Sequence, residues 1–156
     1  MSQARWWWAL FGLGESRTSR LAALEAELGE ALLREIPLRF PGLPKRVQES
    51  PRWELRIAAP NPAIGCVRIT LDGDEAALFI GELTHGHFGP GDRPHDAENP
   101  AGSITDSVCR LLEALFDDRV VVWRLGTRGG WRVIEAGEKP QLPRGAEAHT
   151  WSGRWG

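Results

Sequence analysis

Apolar positions along this chain recur with two different periods, which predict helices and short strands. Leucines at three- and four-residue spacing, separated by glutamates, predict a helix over residues 16–36. A second helical stripe follows Ser103 and ends near Asp117, and Ser103 with Asp106 resembles a capping box at its start. Four prolines in residues 37–51 predict a proline-rich, irregular connection after the first helix.

Alternating apolar and polar residues predict three strands between these helices. They cover residues 52–58, 64–71 and 75–83, and the sequence Asp72-Gly73-Asp74 predicts a hairpin between the last two. Paired positions in a two-residue hairpin add to an odd number, so either register places the same side chains in the core: Val67, Ile69, Leu71, Ala76, Leu78 and Ile80. The opposite face is mixed and carries Arg68, Thr70, Phe79 and Leu83.

The segment 81–88, Gly-Glu-Leu-Thr-His-Gly-His-Phe, is the most distinctive part of the chain. If the second hairpin strand continues past Leu83, alternation places His85 and His87 on the mixed face as well. This expectation requires that Gly86 does not interrupt the strand. We therefore predict that both imidazoles lie outside the main core.

The remaining residues predict further hairpin strands. A valine-rich run at 119–125, a Thr-Arg-Gly-Gly turn and residues 131–135 predict a second hairpin, and the tail 149–156 predicts one short edge strand. Because hairpins dominate the connections, the predicted class is α+β. We expect an antiparallel sheet of about five to six strands, with two main helices packed mainly on one face.

The length and composition are those of one globular domain. The chain has 156 residues, of which 42% are hydrophobic and 26% charged, and we interpret residues 1–156 as a single α+β domain. Its subdivisions are a Trp-rich segment (1–15), the proline-rich connection (37–51) and an acidic loop (89–102). The apolar run at 6–13 is too short to cross a bilayer and precedes no cleavage site, so we expect a cytoplasmic protein without membrane contact.

Charge is unevenly distributed along the chain. The formal net charge is −2, which predicts no overall attraction to nucleic acid or anionic lipid. Residues 59–118 carry 3 basic and 11 acidic groups, together with three of the four histidines. We therefore predict that the acidic region 82–98 contacts a basic protein partner through Glu82, Asp92 and Asp96; the alternative is a solvated acidic loop.

Two histidines at positions i and i+2 of a strand share one face, which is a spacing that one divalent transition metal can bridge. His85 and His87 have this spacing, and His95 lies in the following loop as a third candidate ligand. The segment departs from the cupin pattern and, at three positions, from the JAB/MPN metalloprotease pattern. The alternatives are a structural role for these histidines or a contact with a partner or ligand.

No complete catalytic set is recognisable in the sequence, so we predict no catalytic residues and, apart from this metal, no cofactor. There is no Gly-x-Ser-x-Gly motif, and residues 126–130 fit a hairpin turn rather than a phosphate loop. Cys66 falls in a strand pattern and Cys109 in a helix, where free cysteines behave as small hydrophobic residues.

Eight tryptophans are a high number for this length, and they concentrate at the two ends of the chain. Trp6, Trp7 and Trp8 are consecutive, so they cannot all face one core, and we predict that they contact a partner or form a homodimer interface. The alternative is that the terminal tryptophans, including Trp151 and Trp155, clamp helix and tail onto the sheet. Basic residues do not interleave them, so we expect no nucleic-acid partner.

Two segments resemble a group of small uncharacterised bacterial α+β proteins. One is Gly-Glu-Leu-Thr-His-Gly-His-Phe at 81–88, and the other is Leu-Leu-Glu-Ala-Leu-Phe-Asp-Asp-Arg-Val-Val-Val-Trp at 111–123. The resemblance covers roughly residues 61–123, and its style is similar to that of immunity proteins encoded near contact-dependent toxins. It implies no catalytic residue. We therefore expect a non-catalytic interaction protein, immunity-like or regulatory; the alternative is a metal-dependent hydrolase or metal-binding protein centred on His85 and His87.

Overall fold

The computed structural model describes residues 16–48, 52–91, 94–135, 138–153 and 155, and for residues 94 and 95 the backbone alone. The elements, in chain order, are α1 (Arg17–Arg39), β1 (Lys45–Gln48), β2 (Glu54–Ala58), β3 (Cys66–Asp72), β4 (Glu75–Ile80), β5 (Thr84–Phe88), α2 (Pro94–Glu98), α3 (Pro100–Phe116), β6 (Val120–Leu125), β7 (Arg128–Val133) and β8 (Glu147–His149). The predicted α+β class with antiparallel pairing and two main helices is confirmed.

The strands form two sheets rather than one. A five-stranded sheet has the order β1-β2-β3-β4-β5, and a three-stranded sheet has the order β7-β6-β8. The five-stranded sheet is longer than predicted at both ends, because β1 lies inside the proline-rich connection and β5 is a separate strand. Pairing with β2 makes residues 45–48 a strand, a tertiary effect that the local proline pattern does not indicate.

The predicted hairpin between β3 and β4 is confirmed. Val67 pairs with Ile80, Ile69 with Leu78 and Leu71 with Ala76, and all six side chains are buried. Helix α1 contacts β3, and α3 contacts β4 and β5, so both main helices cover the face of the sheet that these residues form. We call this face the inner face and the opposite one the outer face.

His85 and His87 lie on the outer face, but not for the predicted reason. The chain reverses at residues 81–83 instead of running on, and β5 returns antiparallel to β4. Phe79 is the register partner of His85, and Ala77 is that of His87, so the odd-numbered positions keep their face after the reversal. The prediction of the face is therefore confirmed, and the prediction of one continuous strand is wrong.

The start of α3 differs from the sequence prediction. Asn99 caps the helix by accepting a hydrogen bond from the Gly102 amide at 2.9 Å, and Pro100 occupies the first turn, where a missing N–H costs nothing. Ser103 is not the cap; its hydroxyl donates to Asp96 of α2 at 2.8 Å. Residues 89–102 are therefore not one continuous loop, since they include α2 and the first residues of α3.

The carboxy-terminal segment packs two tryptophans against the hydrophobic core. Trp151 is buried and packs on Phe116 with ring centroids 4.8 Å apart, and Trp155 packs against the smaller core around Val121. Strand β8 pairs with β6 slightly upstream of the predicted tail strand. These two tryptophans therefore act as structural clamps, whereas Trp6, Trp7 and Trp8 lie outside the described residues.

Asp118 anchors the turn that carries Trp151. Its carboxylate accepts hydrogen bonds from the Ser152 amide, at 2.8 Å, and from the Ser152 hydroxyl. Burial raises the pKa of Asp118, but these hydrogen bonds and those from Thr150 and Trp151 outweigh it, so the pKa lies below its ordinary value of 3.8. The ionised form is therefore the one that stabilises the fold.

We expect Asp118→Asn to lower the free energy of unfolding by about 1 kcal/mol at neutral pH. Because the folded-state pKa is the lower one, the contribution of Asp118 is fully present above the unfolded-state pKa and is lost as pH falls through the folded-state pKa. Urea denaturation of both proteins across pH measures the difference. A difference that stays constant down to about pH 2 would show that the charge of Asp118 has no role.

Candidate interaction surface

The outer face of the five-stranded sheet carries two rows of side chains that cross all five strands. The register aligns the first row as Arg46, Arg56, Arg68, Phe79 and His85. It aligns the second row as Gln48, Glu54, Thr70, Ala77 and His87. The side chains of both rows stay partly or fully exposed, in contrast to the buried inner face.

Three arginines occupy directly paired positions on β1, β2 and β3. Arg46 pairs with Arg56, and Arg56 pairs with Arg68. We call these residues the arginine row. Neighbouring strands are about 4.8 Å apart, and like charges at paired positions destabilise a sheet. The fold therefore places positive charge where sheet stability alone would not favour it.

Carboxylates offset this charge only in part. Glu54 binds the Arg56 guanidinium with one oxygen and lies 3.6 Å from Arg68 with the other. The hydrogen bond to Glu54 raises the pKa of Arg56 above its ordinary value, and the charge of Glu82 adds to the effect. Arg46 makes no ion pair with any described residue. The β1 end of the row is consequently the end with unpaired positive charge.

Phe79 connects the arginine row to the histidines. The Arg68 guanidinium carbon lies 4.2 Å from the centre of the Phe79 ring, and the His85 ring stacks on Phe79 at 5.4 Å with an interplanar angle of 29°. Because Arg68 and His85 come from the strands on either side of β4, they cover opposite faces of the Phe79 ring. The ring therefore presents its edge, and not a free face, to a ligand.

The two candidate metal ligands are neighbours, as the sequence predicts. The rings of His85 and His87 are 5.0 Å apart and nearly perpendicular, and His87 Nδ1 contacts the Glu75 carboxylate. Within the part of the chain that the structure describes, no group of three or more His, Cys, Asp or Glu residues could hold a metal ion. The side chain of His95 lies outside that part, so its predicted role as a third ligand stays a prediction.

The three acidic residues predicted to contact a partner, Glu82, Asp92 and Asp96, differ in their exposure and in whether the structure describes them. Glu82 is exposed in the turn between β4 and β5. Asp96 is only 6% exposed and accepts the hydroxyl hydrogen bond of Ser103, so it joins α2 to α3. The Asp96 carboxylate therefore faces the protein, and its predicted contact with a partner stays a prediction. Asp92 lies outside the described residues.

Trp131 of β7 fixes β5 from its outer edge. Its indole N–H donates to the His85 carbonyl oxygen at 3.2 Å, and its ring lies against Gly86, where an added Cβ would be 3.2 Å from the indole. The His85 carbonyl oxygen, which another strand could otherwise pair with at the free edge of β5, is thus already hydrogen-bonded. The absence of a side chain at Gly86 lets the indole approach closely, and Gly86 still pairs with Leu78 within β5.

A shallow concavity of about 450 Å³ lies in the second row. Thr70 and Ala77 are among the residues that line it, together with Arg52, Arg68 and His87. The small side chains of Thr70 and Ala77 are neighbours in this row, between the larger Glu54 and His87, so they leave room in the sheet surface. The concavity therefore lies beside the arginine row on the outer face.

Of the two cysteines, Cys66 lies on the outer face, where it lines a cavity with Arg46 and Arg56, and Cys109 lies away from it. Cys109 is fully buried in α3, and burial raises the pKa of its thiol to about 11. A thiol with that pKa is protonated at neutral pH and is a poor nucleophile. Cys66 is a free cysteine at the start of β3, half-buried in the sheet.

No protein-family model, curated protein or solved structure matches this chain. The resemblance at residues 81–88 and 111–123 therefore stays a prediction. Among the described residues, no helix combines the length and the apolar character that a membrane span requires.

The sequence pattern placed two residues of the outer face correctly, Arg68 and Phe79. It did not indicate that Arg46, Arg56 and Arg68 are aligned. The predicted pairing of the two hairpin strands places these two residues on the mixed face, and the structure confirms this. Arg46 lies in the proline-rich connection, where the sequence predicts no strand. Arg56 on β2 could be aligned with Arg68 only once the β2–β3 register was known. The available signal was the outward position of Arg56 in an alternating strand.

Proposed function

We propose that this chain is a non-catalytic interaction protein whose contact surface is the outer face of the five-stranded sheet. The observation that supports this most directly is the arginine row on that face. Three arginines at paired positions weaken the sheet unless an anionic group binds them, and the Glu54 carboxylate, which pairs with Arg56 and Arg68, offsets them only in part. Arginine is also the charged residue most enriched where proteins bind one another.

The proposed contact surface is therefore the sheet face next to the acidic region 82–98, and not that whole region as the sequence predicts. Glu82, His85 and His87 remain part of it, since they lie at the β5 side of the outer face, but buried Asp96 does not. An immunity-like or regulatory protein in the cytoplasm is the type of binder that we propose, because such proteins act by occupying a surface of a partner rather than by catalysis.

Capture of partners from bacterial extracts by a paired set of variants tests this proposal. One variant carries Arg46→Gln, Arg56→Gln and Arg68→Gln on the outer face, and the control carries Arg124→Gln, Arg128→Gln and Arg132→Gln on the second sheet. Both variants lose three positive charges, all from exposed positions except the half-buried Arg68, so the change in net charge is matched. We expect proteins retained by the wild type to be lost from the first variant alone; equal retention by both variants contradicts the proposal.

The stability of the sheet offers an independent check. We expect Arg46→Thr to raise the free energy of unfolding by about 0.5 kcal/mol, because it removes the repulsion from Arg56 and introduces a residue with high strand propensity. Lys45→Thr is the matched control, since Lys45 is a cation of the same strand but pairs with Ile57. Urea denaturation measures both. A loss of stability in Arg46→Thr would mean that Arg46 is retained for the fold.

A second candidate function is the binding of a divalent transition metal by His85 and His87. The observation that favours it is the placement of both imidazoles on one exposed face, 5.0 Å apart and next to Glu75. Zinc at about a hundredfold excess over the dissociation constant would add about 2.7 kcal/mol of stability and raise the melting temperature. His85→Gln should remove this rise. A wild-type melting temperature that zinc does not change eliminates this candidate.

A further inference from the structure

We infer that the partner presents an acidic face of an α-helix to the arginine row, with carboxylates one helical turn apart. This inference rests on the proposed function, because it names the chemistry of the group that the outer face binds.

The spacing of the arginine row supports a helix over an extended strand. Arg46, Arg56 and Arg68 lie on adjacent strands, so their backbone positions follow one another at about 4.8 Å and span about 10 Å in total. Side chains at i and i+4 of a helix are about 5–6 Å apart, and two turns advance about 11 Å. Side chains on one face of an extended strand are about 6.6 Å apart, which is a poorer match.

The chemistry of the row supports carboxylates. Guanidinium groups bind carboxylates strongly, and Glu54 shows this within the sheet by accepting a hydrogen bond from Arg56 and forming an ion pair with Arg68. Arg46, at the free end, makes no ion pair with a described residue, and its guanidinium is exposed. A partner carboxylate over Arg46 and Arg56 would relieve the repulsion between these two residues.

The surroundings of the row disfavour a nucleic-acid strand. Both faces of the Phe79 ring are covered, so this ring offers no platform for base stacking. Glu75 lies at the β5 side of the outer face, and Glu82 lies close enough to act on Arg56. A uniformly charged backbone that continued past the arginine row toward β5 would meet Glu75, whereas a short acidic patch over Arg46 and Arg56 would not.

The concavity beside the row gives the helix a place to anchor. It lies next to Arg68 on the second row and includes Thr70 and Ala77. A helix that crosses β1, β2 and β3 above the arginine row would direct the residues on one flank toward this space. An apolar side chain of the helix would fill it and contact the edge of the Phe79 ring, which also lines the concavity.

Two peptides of identical composition test the inference. Both are alanine-based helices of about 20 residues, long enough to be helical in water. The first carries glutamates at positions i, i+4 and i+8 on one face, and the second carries the same glutamates distributed around the helix. Fluorescence anisotropy of labelled peptides at low and high salt measures the dissociation constants, and a single-stranded oligothymidylate serves as the polyanion probe.

We expect the wild-type chain to bind the one-faced peptide at least about tenfold more tightly than the distributed one, since tenfold corresponds to one additional charged hydrogen bond. The outer-face variant with glutamines at 46, 56 and 68 should lose this preference, and the second-sheet variant with glutamines at 124, 128 and 132 should keep it. The glutamine side chains keep the polar, flexible stems, and circular dichroism checks that each variant is folded.

The remaining outcomes separate the inference from the proposed function. Equal affinity for both peptides, lost in the outer-face variant, overturns the helix geometry but leaves the outer face as the contact surface. Tighter binding of the oligothymidylate than of the one-faced peptide overturns the inference in favour of nucleic acid. Binding that the outer-face variant retains and the second-sheet variant loses contradicts both.

Discussion

Gly81→Ala is expected to lower the free energy of unfolding by about 3 kcal/mol. Gly81 has a φ of +56°, in the left-handed region, and an added Cβ would lie 2.3 Å from the backbone oxygen of Ile64. A backbone oxygen cannot rotate away as a flexible side chain can, so the loop at Ile64 or the turn itself must shift. That turn reverses β4 into β5 and so determines the position of His85 on the outer face.

Gly65→Ala is the matched control for this prediction. Gly65 also has a positive φ, +75°, but an added Cβ there would meet no atom within 4 Å. Its cost is therefore the conformational one alone, about 1 kcal/mol. Urea denaturation of the two variants and the wild type isolates the contribution of the clash. If both variants lose the same stability, the close approach of Ile64 to Gly81 does not constrain the turn.

Asn61→Asp is expected to cost about 3 kcal/mol at neutral pH. The Asn61 side chain is only 7% exposed, and its amide N–H groups donate to the carbonyl oxygens of Thr150 and Gly153, each at 2.9 Å. An ionised carboxylate has no donor, so two carbonyl oxygens would face a negative charge. The turn they belong to carries Trp151 onto Phe116, and loss of this packing adds to the cost.

The control for Asn61→Asp is the same substitution at Asn99. There the side-chain oxygen caps α3 by accepting the Gly102 amide, a role that a carboxylate fills equally well. We expect Asn99→Asp to change stability by less than about 0.5 kcal/mol, because the helix amino terminus favours negative charge. Thermal and urea denaturation at neutral pH compare the two. Similar losses at both positions would indicate that the donor hydrogen bonds of Asn61 are unimportant.

Local sequence patterns were sufficient for the elements that lie close together along the chain. The leucine spacing predicted α1, and the Asp72-Gly73-Asp74 turn with its flanking alternation predicted the β3–β4 register and its six core residues. The predicted pairing in this hairpin also placed Arg68 and Phe79 on the outer face. These features depend on the period of the backbone and on the geometry of one short turn, and both are encoded within a few residues.

Local patterns gave a wrong prediction where a polar side chain had two possible hydrogen-bond partners. Ser103 and Asp106 fit a capping box, but Asn99 and Pro100 supply a better helix start four residues earlier, and Ser103 is then free to bind Asp96. The same contact turns Asp96 inward, away from the acidic surface that its charge suggested. Which of two acceptable partners a polar group takes depends on what is nearby in the folded chain.

The histidine segment 81–88 shows the boundary between the two kinds of information most clearly. The sequence by itself determined that His85 and His87 share a face, because they are two residues apart in a strand. Only the tertiary structure decided that the chain reverses at Gly81, that Trp131 secures β5 through the His85 carbonyl, and that β1 joins the far edge of the sheet. The arginine row exists only because three consecutive strands, β1, β2 and β3, align in register across connections longer than a tight turn. The geometry of such a connection does not set the register, so packing of the whole inner face does.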